Sequence, residues 1–414
     1  MSPLRVVVIG GGAAGFFGAI ACAQARPGTR ITLLEAGPQP LTKVRISGGG
    51  RCNVTHACFE PAVLTQQYPR GSKALRGPFT RFGPQDTLTW FKGHGVRLKT
   101  EPDGRMFPVT DDSATIVDCL MRTAHASGVL VRTGATVVAV ARTEMGFETR
   151  LKSGEALLSD CLLLATGSSS TGYKLAKSLG HQVEPPVPSL FTFNVLDRQL
   201  RELAGVTAPV RLRLAIEGST PLEQTGPLLI THWGLSGPAA LKLSAWGARV
   251  LHTSRYRASL QINWLPEQDL EGLRGQLLAL KSEWARRAIH SNGLADLPRR
   301  LWHYLADRAG VAPDVRWAEL SKHALNCLLQ ELTQGSYAIE GKGPFKEEFV
   351  TCGGVNLKEV DFKTMASRRC RGLYLAGEVL DVDGVTGGFN FQNAWTTAWL
   401  AGQAMAVWNT SEAS

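Results

Sequence analysis

The chain has no window of about 18 consecutive apolar residues, so no transmembrane helix is expected. No cleavable leader is expected either. The N-terminus MSPLRVVVIGGGAAG is apolar, but a glycine turn interrupts it before any small-residue cleavage site. A cytoplasmic location is the expectation. The eight cysteines include no CxxC pair, which argues against a dithiol centre of the disulfide-reductase kind. No Cys/His set has zinc spacing, so no metal is expected. The thiols read as reduced and mostly buried. Charge is sparse: 19% of the 414 residues are charged and 44% hydrophobic, which excludes a disordered chain. The 44 glycines cluster without a period, which excludes collagen-like and low-complexity chains and points to tight turns. There is no second Gly-x-Gly-x-x-Gly to mark a nicotinamide domain, so NAD(P)H, as a reductant, would bind only transiently.

The clearest signal lies at the start. Arg5–Ile9 is a β-branched run with the look of a buried parallel strand. Gly10, Gly12 and Gly15 follow, Ala13 and Ala14 open a helix-compatible stretch, a second strand runs over Thr29–Leu34, and Glu35 ends it. Strand, glycine turn, helix, strand and acid form a dinucleotide-binding unit. The glycines allow the tight turn, close approach to a pyrophosphate, and close helix–strand packing. The helix N-terminus offers free N–H groups to phosphate, and Glu35 suits ribose hydroxyls.

Two further elements favour FAD over NAD. Leu162–Gly167 reads as a strand ending in a Thr166-Gly167 turn. Leu373–Val379 reads as a strand followed by Gly377 and Glu378, with a glycine-opened helix from about Asn390 to Trp408. Glu378 suits the ribitol chain, and of Asp381 and Asp383 one would bind ribitol while the other caps a turn. The N–H groups after Gly387-Gly388 would face the flavin pyrimidine edge.

The expected architecture is α/β: a discontinuous Rossmann-like FAD-binding domain of the two-dinucleotide type, residues 1–188 plus 342–414. It is interrupted by an antiparallel β-barrel-like insertion, 189–262, and a small helical subdomain, 263–335, with strands returning near 336–350. Short alternating runs such as FTFNVL and VRLRLAI mark the first, and a helical period marks the second.

The sequence resembles the BaiN-like (YhiN-type) NAD(P)/FAD-dependent oxidoreductases. The matching residues are Gly10–Gly15, Lys43-Val-Arg-Ile-Ser-Gly-Gly-Gly-Arg-Cys-Asn53, Ala165–Gly167, Thr231–Pro238, Thr351–Val355 and the long run Leu375–Ala394. The resemblance implies non-covalent FAD, a β-barrel insertion and a helical subdomain. Its motifs supply the remaining cofactor candidates: Lys43, Ser47, Gly48, Gly49, Gly50, Arg51, Cys52, Asn53, Phe389, Asn390 and Phe391. The chain departs from the family pattern at Ser168–Ser170, where further glycines are common. It departs again at Phe389 and Phe391, where Tyr and Leu are common, so no phenol at 389 acts in catalysis.

Three residues are candidates for chemistry. Arg51 would pair with pyrophosphate, or with flavin O2, where it would stabilise the reduced anionic form. Cys52 would be an acid, a nucleophile or a packing group. His232 would be a general acid or would orient its turn. The expected activity is reduction of an electron-poor C=C or C=N bond by NAD(P)H. The resemblance points to conjugated carbonyl compounds, and uridine in ribosomal RNA has the same chemistry. A flavin amine oxidase and a flavin-carrying RNA-binding or redox-sensing protein are the alternatives. The net charge of +10 is concentrated between Leu41 and Arg105, where eleven basic residues face four acids. That segment is either a solvated basic surface or a face for a phosphate-rich partner such as RNA.

Overall fold

The computed structural model describes residues 3–343 and 350–409, which divide into two compact units. The first comprises residues up to 186 and from 351 onward; the second is 187–350.

The first unit is built on a seven-stranded sheet. Its centre is strand β1 (Arg5–Ile9), with helix α1 (Ala13–Ala25) and strand β2 (Arg30–Leu34) next in the chain. β1 pairs in parallel with β2 on one side and with Cys161–Leu164 on the other. Leu130–Arg132 extends the sheet beyond β2, and Leu373–Leu375 extends it beyond Cys161–Leu164, again in parallel. A small antiparallel ribbon, Val360–Asp361 and Ala366–Ser367, finishes that edge. The central strands are buried on both faces, as a sheet covered by helices requires, and so read as unbroken apolar runs.

α1 and the C-terminal helix (Phe389–Ala406) pack closely because small residues meet between them. A Cβ on Gly402 would lie 2.6 Å from the Ala21 Cβ and 2.7 Å from the Gly18 carbonyl oxygen. An aromatic cluster closes the core on that side, with Phe17 centred 4.6 Å from Trp90 and 5.3 Å from Trp395.

The basic segment is ordered structure. It forms a helix (Ser72–Arg81), a second helix (Pro84–Gly93) and a three-stranded sheet of Thr55–His56, Arg105–Pro108 and Leu98–Thr100.

The second unit is a closed six-stranded barrel in the order 193–195, 234–236, 222–231, 207–215, 257–263, 335–342. Thr207–Ala215 alternates buried and exposed along its whole length, the period-2 pattern of a strand with one face on a core. One expectation is corrected. The helices between residues 263 and 335 are not a separate subdomain: Leu277, Trp302 and Leu328 share one core with Val210, Leu260 and Ile339 of the barrel. The last barrel strand, Gly335–Lys342, follows those helices, in the region where returning strands were expected. Residues 344–349 of the expected strand return lie outside the described residues.

Candidate dinucleotide site

The turn after β1 is shaped by what cannot fit there. Gly10 has φ +112°, and a Cβ on it would lie 2.3 Å from the Ala165 carbonyl oxygen. A Cβ on Gly15 would lie 1.8 Å from the Gly10 carbonyl oxygen. Gly12 is different: its Cβ would meet no atom within 4 Å, so the space above it is open. Gly12 caps α1 without a side-chain hydrogen bond, and the first turn of α1 (Ala13, Ala14, Gly15) holds no acid. Bare N–H groups beside an open space form a cradle for a phosphate.

Glu35 braces this turn. Its carboxylate accepts from the Gly11 N–H at 2.8 Å and from the Gly37 N–H at 2.7 Å. Gly11 was not among the expected ligands. A Cβ there would lie 2.7 Å from Glu35, so the acid and the middle glycine are a matched pair.

The neighbouring strand ends complete the crevice. After Cys161–Leu164 the chain turns through Gly167 at φ +60°. The buried Thr166 Oγ1 has no hydrogen-bond partner in the described structure. After Leu373–Leu375 it turns through Gly377, whose N–H donates to Thr397 Oγ1 at 2.9 Å. Glu378 accepts from Lys43 Nζ at 2.6 Å and from the Thr351 N–H at 3.1 Å. These strand ends and glycine turns lie where open α/β sheets bind dinucleotides, and the open cradle at Gly12 fits the pyrophosphate of FAD.

Ser47–Asn53 is not the plain loop its glycines suggest. Lys43 to Ile46 are helical within α2 (Thr42–Gly50), and the backbone kinks at Ser47, Gly48 and Gly49, the two glycines being left-handed. Gly49 and Gly50 face open space. Asn53, with its amide oriented to satisfy both ends, donates to the Thr55 carbonyl and accepts from the Gly388 N–H, each at 3.0 Å.

Several expected roles change. Cys52 is fully buried, and burial pushes its thiol up to about 12. A thiol raised in this way keeps its proton at neutral pH and is a poor nucleophile. Arg51 does not stand free beside the glycines. Its guanidinium lies 4.0 Å over Phe107 and bonds Glu101 at 2.6 Å, with Asp111 at 3.5 Å. Asp383 is fully buried, and its carboxylate is gripped by Arg70, which removes it from the ribitol ligands. Asn390 uses both amide atoms on the Gly384 backbone, at 2.8 and 2.9 Å. Phe389 packs against His56 with centroids 4.6 Å apart, and Phe391 stacks on Trp395 at 5.7 Å. His232 is exposed on the turn Thr231–Gly234 of the barrel unit, where Thr231 Oγ1 accepts from the Trp233 and Gly234 N–H groups.

The structure adds a buried polar seam under the C-terminal helix. Thr55 and Thr87 hydroxyls both donate to Gln392 Oε1, at 2.6 and 3.0 Å. Trp395 Nε1 donates to the Val54 carbonyl, and Tyr68 donates to the Phe389 carbonyl at 2.7 Å. The sequence signal was present: Gln392, Asn393, Thr396 and Thr397 interrupt an otherwise apolar helix, and polar groups placed so need partners.

The HI0933-like protein Rossmann domain matches residues 4–404. The chain belongs to that family. Membership makes it an FAD-dependent oxidoreductase, with the substrate left open. It is 33% identical to a ribosomal RNA dihydrouridine synthase of Escherichia coli (strain K12), over 99% of this chain and 100% of the relative. It is 29% identical to a 3-dehydro-bile acid delta(4,6)-reductase of Clostridium scindens, over 97% of this chain and 99% of the relative. Among solved structures it is similar in fold to a flavocytochrome c3 fumarate reductase, with a TM-score of 0.50 and 16% identity over 98% of this chain and 78% of that one. No helix among the described residues is long and apolar enough to cross a membrane.

Proposed function

We propose that the protein is an NAD(P)H-dependent flavin reductase that saturates a carbon–carbon double bond conjugated to a carbonyl group. One observation carries this reading. Two relatives with different substrates in their names each align with nearly the whole chain, and both names denote saturation of such a bond. Dihydrouridine is uridine with its C5=C6 bond reduced, and that bond is conjugated to a carbonyl just as a dienone's is.

FAD, when bound, supplies the two-electron carrier. The chain's residues hold and shape it. The Gly10–Gly15 turn and the α1 N-terminus would take the pyrophosphate, and Glu35 the ribose. Lys43 and Glu378, an ion pair at the strand ends, would border the ribitol. The positive end of the C-terminal helix would favour negative charge on the reduced cofactor. Cys52, fully buried with its thiol pushed up, is read as a packing group. The same reading places the enzyme in the cytoplasm, where its free thiols stay reduced.

A specific observation favours uridine in RNA over a small enone: the excess of basic residues between Leu41 and Arg105. Structure trims that excess. Lys43, Arg51, Arg70, Lys99 and Arg105 are in ion pairs, whereas Lys73, Arg76 and Lys92 are exposed and in no ion pair among the described residues.

The test is anaerobic mixing of the yellow holoprotein with NADH or NADPH, then with enone, bile-acid dienone and uridine-containing RNA acceptors. Fast bleaching by the nicotinamide, then recolouring by one acceptor class, is expected. Bleaching by an amine but not by NAD(P)H would move the enzyme to the oxidases.

A further inference from the structure

At the edge of the first unit, two cavities of about 530 and 720 Å³ adjoin, sharing Arg81 and Lys363 in their walls. The first lies between the Ser72–Arg81 helix and the Val360–Ser367 ribbon. The second continues to the end of the C-terminal helix. Four cations line the pair, Arg81, Lys363, Arg368 and Arg371, against one carboxylate, Asp361. That carboxylate accepts from the Lys363 N–H and the Thr364 hydroxyl, each at 3.1 Å, and lies 3.7 Å from the Arg368 guanidinium. Lys363 and Arg371 are exposed and make no ion pair among the described residues, and Arg371 lies 5.4 Å over the Trp408 ring. Lys73 and Arg76 are exposed on the same helix as Arg81 but line neither cavity.

A helix C-terminus disfavours anions, because its carbonyls carry partial negative charge. Here Arg26 offsets this by donating to the Ala406 and Trp408 carbonyls. The groove is therefore positive along its length. It is also remote from the dinucleotide turns: Gly388 begins the C-terminal helix and Gln403 lines the groove. At 1.5 Å per residue that separation is about 22 Å along the helix. A small enone in the crevice would never reach it.

We infer that this groove binds the phosphodiester backbone of an RNA substrate at a distance from the reacting base. An open, elongated cationic track with an aromatic edge suits a polyanion better than a single phosphate. The inference rests on the uridine reading for its purpose, and its binding test is independent of that reading.

The test compares wild type with the double variant Lys363→Glu, Arg371→Glu, both holoprotein. Binding to a fluorescent hairpin RNA with a uridine-bearing loop is followed across salt, beside phosphatidylglycerol vesicles and inorganic phosphate. Wild type should bind the RNA with a steep salt slope. The variant should bind at least about tenfold more weakly at physiological salt, with a slope shallower by about 2. Anaerobic reduction of its flavin by NAD(P)H should be unchanged. Equal RNA binding by both proteins overturns the groove, as does binding of wild type to vesicles or phosphate but not RNA. Uridine reduction separates the two readings. If wild type binds RNA through the groove but reduces none of its uridine, the groove stands and the substrate reading falls. If both proteins reduce RNA with the same KM, the substrate reading stands and the groove falls.

Discussion

The turn Gly10–Gly15 is built from backbone, with one carboxylate behind it, whereas the turn Val382–Gly388 is held by side chains that arrive from far along the chain. In the first, Gly10 and Gly15 are pressed against backbone carbonyls and Gly12 is left open. In the second, Asn390 grips Gly384, Asn53 takes the Gly388 N–H, Tyr68 takes the Phe389 carbonyl, and Arg70 holds Asp383. The first turn needs glycine at fixed spacing and little else. The second needs partners more than 300 residues away, which position 383 or 388 cannot announce by itself. Both shape one crevice, but only the first is a motif.

The sharpest way to break this comparison is inside the first turn. Gly15→Val should prevent recovery of folded protein, because its Cβ would overlap the Gly10 carbonyl. Gly12→Val should fold with unchanged circular dichroism and elute colourless, because its side chain fills only the open cradle. A yellow Gly12→Val protein would mean that the pyrophosphate lies elsewhere.

Next in size is the pair beneath the second turn. Arg70 and Asp383 have side chains only 11% and 0% exposed. Removing one partner leaves a buried charge, so Arg70→Ala should lose about 3–5 kcal/mol in denaturant unfolding. A loss below about 1 kcal/mol would mean that the pair is not load-sharing in solution. Arg70 therefore does not belong in any set of substitutions meant to probe surface charge.

The comparison also explains what the sequence made legible. Four of the five parallel strands, the glycine turns and the barrel's alternation followed from periodicity and from Gly10–Gly15, because those signals are local; the short edge strand Leu130–Arg132 did not. The basic segment was legible as composition only: five of its cations meet carboxylates brought together by folding, which the +7 count could not show. Cys52 left its role open in the sequence, acid, nucleophile or packing group, because only the fold shows how it is buried. The helices after residue 263 changed period without changing core, and period alone does not reveal whose core a helix joins.

A smaller effect is expected from a buried cluster outside both turns. His181 Nδ1 lies 3.0 Å from Glu359, and its Nε2 lies 2.8 Å from Ser367 Oγ. The distances resemble a hydrolase triad, but Ser367 Oγ also accepts from the Arg369 and Cys370 N–H groups, which occupy its lone pairs. The cluster is a clamp. Burial lowers the His181 pKa below its ordinary 6.5. The unfolded chain thus takes up the proton first as pH falls, so the stability His181 contributes is full above about pH 6.5 and declines below it. Glu359 is pushed up by burial but held below the usual carboxylate range by the Gln182 N–H, Arg369 and His181. Its own contribution fades only in more acid solution. His181→Ala should lose roughly 1–3 kcal/mol at pH 7.5 and show a flatter decline between pH 6.5 and 5.5. Parallel wild-type and variant curves would remove His181 from that titration.

The smallest expected effect sharpens the contrast between two arginines. Arg70 is sealed with its carboxylate, whereas the Arg51 side chain is 32% exposed beside Glu101 and Asp111. Solvent screens such a pair, so Arg51→Ala should leave the unfolding midpoint nearly unchanged. Its kinetics decide between two placements. With the guanidinium on Glu101 and stacked on Phe107, anaerobic flavin reduction by NAD(P)H should run near the wild-type rate. A guanidinium that leaves Glu101 to stabilise charge on the reduced cofactor would instead cost about 100-fold in that rate. Glu101→Gln separates the cases further. Freeing Arg51 from its carboxylate should leave reduction unchanged if the arginine is structural, and should accelerate it if the ion pair restrains an arginine that acts on the cofactor.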